Sequence, residues 1–411
     1  MNLSQITILI SISLLCLRCT GQDSENASKS IFKLTVSSPE KDLPIIVGAE
    51  RVSKYISLLK NKRIGVVANH TSMIKNTHLV DSLIGLKLNV VRVFSPEHGF
   101  RGNADAGERV NSDIDEATGL PIVSLYGKNK KPSPEQIKDL DLIIFDIQDV
   151  GVRFYTYIST MSYVMEACAE SNKKVLVLDR PNPNGHFVDG PVLEKKHQSF
   201  VGLHPVPIAH GMTIGEYAQM VNGQGWLANG TPCDLTVIKT ANYDHNTFYK
   251  LPIKPSPNLP NMSSIYLYPS LCLFEGTPIS IGRGTSTPFQ VVGHPLIKSS
   301  GFSFTPASMN GAKSPKLKGE KCNGYNLAHF GSDYIKNKGG INLFWLIDIY
   351  KNFPEKKGFF TPMFLLLSGT DQLKEQLENG MNEEAIYASW QKDLTNFKAI
   401  RKQYLLYKDF E

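Results

Sequence analysis

The absences in this 411-residue chain exclude several classes of protein before any motif is considered. No Gly-x-Gly-x-x-Gly follows a strand-like run, which argues against a dinucleotide as ligand. Beyond Cys16 and Cys19, the cysteines are the singletons Cys168, Cys233, Cys272 and Cys322, without the paired spacing of a zinc site. Its 10 histidines are scattered with no His-x-x-x-His pair, so a metal-dependent hydrolase built on His70, His98 and an aspartate is disfavoured and no metal or cofactor is expected. Lys and Arg exceed Asp and Glu by only 6 and form no basic stretch interleaved with aromatics, which argues against a nucleic-acid partner. Internal repeats and low-complexity tracts are also missing. What remains, 41% hydrophobic and 20% charged, is a globular composition long enough for two ordinary domains.

One long apolar run is present, at residues 6–17, and it is too short for a normal membrane-spanning helix. Residues 1–19 therefore read as an export signal, and a polar tether follows over 20–44. Cys19 at its end is a candidate lipidated cysteine of a bacterial lipoprotein, with attachment to a membrane as the consequence. Export would permit disulfides among the four later cysteines, although Cys168 falls on the apolar face of an expected helix, where a buried free thiol is the better reading.

From there, short apolar runs alternate with helical patterns. Strands are expected at 63–68, 88–94, 121–126, 142–146 and 174–179, with helices at 51–61, 78–86 and 156–171. Ser133-Pro134-Glu135-Gln136 carries a capping serine, a proline at the first helical position and a glutamine three residues after the cap. This pattern predicts an α/β fold, a doubly wound parallel sheet over 45–259, with a second, smaller α+β domain over 260–411. The proline-rich stretch 254–260 reads as a linker or an extended crossing segment. The last part is helical, with Ile386, Trp390, Leu394 and Phe397 on one face.

Reactive side chains cluster where expected strands end, which is where open α/β sheets bind their ligands. After 88–94 come Glu97, His98 and Arg101 within five residues, a carboxyl, an imidazole and a guanidinium together. After 142–146 come Asp146, Gln148 and Asp149, then Arg153 and Tyr155, a set suited to the bidentate hydrogen bonds and ring stacking that a sugar needs. Asn182 lies in the proline-stiffened loop after the last strand, and Asn69 to Ser72 follow the first. Beyond the linker, Glu275 and Arg283 flank a glycine-bearing turn and are placed to reach into a cleft. Each cluster also admits a structural reading as a capped or ion-paired loop.

Four segments, Ser95-Pro-Glu-His-Gly-Phe-Arg-Gly102, Asp146-Ile-Gln-Asp-Val-Gly-Val-Arg-Phe-Tyr155, Leu178-Asp-Arg-Pro-Asn-Pro183 and Glu275-Gly-Thr with Gly282-Arg-Gly-Thr285, resemble the exo-β-N-acetylmuramidase family in order and context. The resemblance runs from about residue 45 to the C-terminus. It implies a Rossmann-like N-terminal domain, a smaller C-terminal domain and a cleft between them. It also implies release of N-acetylmuramic acid from the non-reducing end of peptidoglycan fragments. Glu97 matches the acidic position of the family's Pro-Glu-His-Gly motif and is the expected catalytic acid, while Pro278 stands where asparagine is expected. Glycoside hydrolysis generally needs a second carboxylate, for which Asp146 and Asp149 are candidates with Glu275 behind them. The lactyl carboxylate of muramic acid calls for a cation, with Arg101, Arg153 and Arg283 as candidates and His98, Gln148, Tyr155 and Asn182 as further sugar contacts. The alternative function is a non-catalytic muropeptide- or sugar-binding lipoprotein on the same fold.

Overall fold

The computed structural model describes residues 43–97, 99–101, 113–298, 301–330 and 339–411. His98, Cys19, the export signal and nearly all of the tether lie outside the described residues. Residues 44–411 form one compact unit.

Its centre is a seven-stranded sheet. In chain order the strands are β1 (Ile64–Ala68), β2 (Val90–Ser95), β3 (Asp113–Ile114), β4 (Pro121–Ser124), β5 (Leu142–Asp146), β6 (Lys174–Leu178) and β7 (Asp234–Ile238). They lie in the order β3-β4-β2-β1-β5-β6-β7, all parallel except the edge strand β3. β1 and β5 are buried at every residue, which explains their unbroken apolar sequences: helices cover both faces of a parallel sheet. The five expected strands are present with ends shifted by up to two residues, while β3 and β7 carry too little apolar signal to have been foreseen.

Helices form where caps and periodicity coincide. Helix α1 (Leu79–Gly85) is capped by the His78 ring, which accepts from Val80 N–H. Helix α2 (Tyr157–Glu170) buries eleven of its 14 residues, Cys168 among them. Ser133 and Gln136 form the predicted capping box. The expected helix at 51–61 is instead the 3-10 turn Val52–Lys54 and the four-residue helix Ile56–Leu59. Asn382 caps the 19-residue helix Glu383–Arg401, whose Ile386, Trp390, Leu394 and Phe397 are all buried.

The smaller sheet of the C-terminal part is antiparallel, Val291–His294 and Ser303–Phe304 flanking Cys322–Asn326. One continuous hydrophobic core joins the two parts, running from Val67 and Phe145 in the large sheet through Tyr268 and Phe289 to Trp390 and Phe397. The stretch 254–260, expected as a linker or an extended crossing segment, is mostly buried and belongs to this packing: Pro255 C=O accepts the Tyr155 hydroxyl at 2.8 Å. Cys168, Cys233, Cys272 and Cys322 are free and buried, so the expected possibility of disulfides among them is not realised.

Register decides where the site falls. Val67 of β1 lies opposite Phe94 of β2 on one side and Phe145 of β5 on the other, so the carboxyl ends of these three strands are level. The chain reverses its direction of travel across the sheet between β1 and β5, and such a reversal opens a crevice at the carboxyl ends. Glu97 follows β2 at this edge.

Candidate active site

Glu97 lines a cleft of about 690 Å³ together with Tyr126, Phe200, Glu275, Arg283 and Lys316. It also lines a narrow recess beside it, with Thr156, Ser256, Asn258, Tyr268 and Phe289. The Thr156 hydroxyl donates to Glu97 Oε2 at 3.1 Å. Burial raises the Tyr126 phenol pKa, and the charge of Glu97 and a hydrogen bond to it raise it further, so Tyr126 stays a neutral donor to that carboxylate. Aromatic edges and faces close the floor: Tyr268 meets Phe154, Tyr155 and Phe289 at centroid distances of 5.3, 5.9 and 4.9 Å.

Glu275 and Arg283 face this cleft as a pair, with guanidinium nitrogens Nε and Nη2 at 2.8 and 2.5 Å from Glu275 Oε1. Burial disfavours the Arg283 cation, but the Glu275 carboxylate more than offsets that and raises its pKa. The guanidinium also sits over the Phe289 ring, 5.1 Å from its centroid. Lys316 is held by backbone carbonyls of Phe274, Glu275, Thr277 and Ile279, so the ammonium braces the turn that carries Glu275.

Several expected site residues serve the frame instead. Asp146 is a correction: its carboxylate is fully buried in a bidentate pair with Arg180, at 2.6 and 2.8 Å, and faces neither space that Glu97 lines. Asp149 is a second correction. Its Oδ2 accepts from Gly151 N–H at 2.6 Å, and burial pushes its carboxyl up to about 7, away from the cleft lining. Gln148 spends its amide on the carbonyls of Asp149 and Pro181. Asn182 donates to Met212 C=O and packs on Gly151, whose φ of 75° and lack of a Cβ allow that approach.

Arg153, expected to bind a carboxylate, is fully buried and donates to four carbonyls, those of Pro191, Val206, Leu367 and Ser368. It pins the large sheet's loops to the helix Pro362–Ser368. Burial pulls its pKa down to about 9. Arg101 is held by Asp115 at 2.7 Å and Asp81 at 3.5 Å, and it lines a neighbouring recess. Tyr155 does reach the recess of Glu97, with its hydroxyl committed to Pro255 C=O.

Residues that sequence reasoning left out of the site include Tyr126, Thr156, Asn258, Tyr268, Phe289 and Lys316. Thr156 and Tyr126 carried a weak signal, since Tyr126 ends an expected strand and Thr156 follows the loop after another at the same sheet edge. Asn258 sat in the stretch read as a linker or an extended crossing segment, and nothing in the sequence marked Lys316. Among the described residues no three His, Cys, Asp or Glu side chains converge as a metal site.

A strand-end carboxylate held by two hydroxyls, a second carboxylate paired with arginine in the same cleft and aromatic side chains beside them suit a carbohydrate-cleaving hydrolase on a Rossmann-like sheet. Comparison with known proteins agrees and is more specific. The N-terminal domain of exo-β-N-acetylmuramidase NamZ matches residues 64–263 and its C-terminal domain matches residues 266–407, so the chain belongs to this glycoside hydrolase family. The peptidoglycan β-N-acetylmuramidase NamZ of Bacillus subtilis (strain 168) is 42% identical over 376 residues, 86% of this chain and 89% of that protein. Two crystal structures of DUF1343 family proteins from Bacteroides fragilis NCTC 9343 superpose on it. The first has a TM-score of 0.84 and 53% identity, covering 89% of this chain and 100% of that one. The second has a TM-score of 0.74 and 30% identity, covering 89% and 99%.

Proposed function

We propose that the chain cleaves the terminal N-acetylmuramic acid from the non-reducing end of peptidoglycan fragments, with Glu97 as the acid that protonates the leaving oxygen. The observation that carries this role is the shared lining: Glu97 alone of the expected acids borders both the narrow recess and the cleft that holds Glu275 and Arg283. Thr156 and Tyr126 fix its carboxyl from two sides. Glu275 is the second carboxylate of the cleft and takes the role first considered for Asp146 and Asp149, acting on water or on the anomeric carbon. Arg283 is the one arginine among the described residues that lines both spaces with Glu97, and it is the cation for the lactyl carboxylate of the released sugar. Membership of a hydrolase family favours this reading over a sugar-binding lipoprotein.

Glu97→Gln keeps shape and hydrogen bonding while removing the transferable proton. Turnover of a chromogenic N-acetylmuramide should fall by about 10² to 10⁴ with binding retained. Undiminished turnover would remove Glu97 from the reaction.

Peptidoglycan lies outside the cytoplasmic membrane, and the apolar run at 6–17 supports export to the same side. Cys19 is the lipid attachment point in this reading, which places the enzyme in the periplasm or on a bacterial membrane. Metabolic labelling with a fatty-acid analogue in cells should mark the wild-type chain and not Cys19→Ser. Equal labelling of both, or of neither, counts against the anchor.

A further inference from the structure

A second recess of about 460 Å³ opens beside the cleft, lined in part by His70, Arg101, Lys254, Asn258, Thr285 and Met309. Asn258 also lines the recess of Glu97, and Ala312 lines both this space and the main cleft, so the three are contiguous. Among the described residues no Asp or Glu lines it, whereas two cationic side chains do. Those two cations differ in what they have left to offer. The Arg101 charge is spent on Asp115 and Asp81, and its guanidinium rests 4.4 Å from the Phe100 centroid. The Lys254 ammonium is exposed and makes no ion pair among the described residues. Its backbone is fixed, because the His70 ring contacts Lys254 C=O at 2.9 Å. Pro257, Pro288 and the exposed Met309 supply apolar surface of the kind a pyranose face covers.

We infer that this recess is a leaving-group subsite in which Lys254 reads the lactyl carboxylate of the next muramic acid along the glycan. The inference rests on the activity proposed above. Peptidoglycan glycan alternates N-acetylglucosamine with N-acetylmuramic acid, so the sugar beyond the one adjoining the scissile bond carries the next carboxylate. A cation with no ion-pair partner among the described residues, on the wall of a space contiguous with the acid, suits that group. A peptide stem attached through the same lactyl group ends in carboxylates too, and the test separates these sources.

The test uses the full chain with Lys254→Gln and Lys254→Glu on three substrates: a chromogenic muramide, the disaccharide MurNAc-GlcNAc and the stem-free tetrasaccharide (MurNAc-GlcNAc)₂. For the tetrasaccharide alone, kcat/KM should fall about two- to fivefold in Lys254→Gln, the scale of one exposed ion pair, and further in Lys254→Glu. The loss should shrink at high salt. Equal effects on all three substrates, or no effect on the tetrasaccharide, overturns the subsite. Sensitivity confined to a stem-bearing tetrasaccharide overturns the assignment to the lactyl group. A wild-type chain inert toward the chromogenic muramide and the disaccharide instead fails the activity itself, a result distinct from a variant that loses only the longer substrate.

Discussion

Glu97 and Asp146 stand at the ends of the two strands that flank β1, and their surroundings give them opposite uses. Asp146 meets Arg180 through both oxygens with no exposed surface, so neither oxygen is presented to a substrate. A buried pair of this kind is costly to break, because the remaining ion is left desolvated. Asp146→Asn should therefore cost about 3–5 kcal/mol of stability by orphaning the Arg180 guanidinium. Thermal unfolding should show a lowered Tm, while kcat per folded molecule and the pH dependence of kcat on a chromogenic muramide stay as in the wild type. An unchanged Tm with a collapsed kcat would return Asp146 to the chemistry. Sequence alone places the two carboxylates alike, since both follow apolar strands, and the distinguishing fact is a partner 34 residues downstream of Asp146.

At the scale of elements, the legible features were those whose cause is local. The strands of the sheet centre showed themselves because burial on both faces demands an unbroken apolar run. The capping box at Ser133 and the apolar face of Glu383–Arg401 were equally plain. Edge strands β3 and β7 escaped notice, since β3 is two exposed residues and β7 is only partly buried. The stretch 254–260 was legible only as either a linker or an extended crossing segment. Prolines there signalled extended backbone correctly, but whether an extended segment is a tether or a wall depends on what packs against it. Here Tyr155 and the recess of Glu97 do. Arg153 is the same lesson in a side chain. Its sequence neighbours suggested a sugar clamp, whereas its four acceptors come from carbonyls as far away as Ser368.

Across the whole molecule, burial sets two groups of titrations against each other. Burial holds the His210 ring down to about 3 and the His186 and His204 rings down to about 4. Unfolded histidine titrates near 6.5, so as pH falls below that value the unfolded chain takes up protons that these folded rings refuse, and stability is lost. Buried carboxyls act in the other direction. Burial raises Asp149 to about 7, and it raises Asp179 to about 6 against the hydrogen bond from Tyr407. An unfolded carboxyl titrates near 4, so between about pH 4 and 7 the folded chain keeps the Asp149 proton that the unfolded chain releases. The Asp149 contribution therefore stabilises on acidification through this window and is lost as pH rises through the folded value. Asp149→Asn removes it and leaves the histidines opposed by Asp179. The Tm of the variant minus that of the wild type should thus be more positive at pH 7.5 than at pH 5, by a few degrees, on the order of 2 kcal/mol. A difference that does not change with pH would mean that the Asp149 carboxyl is already ionised throughout this range in the folded chain.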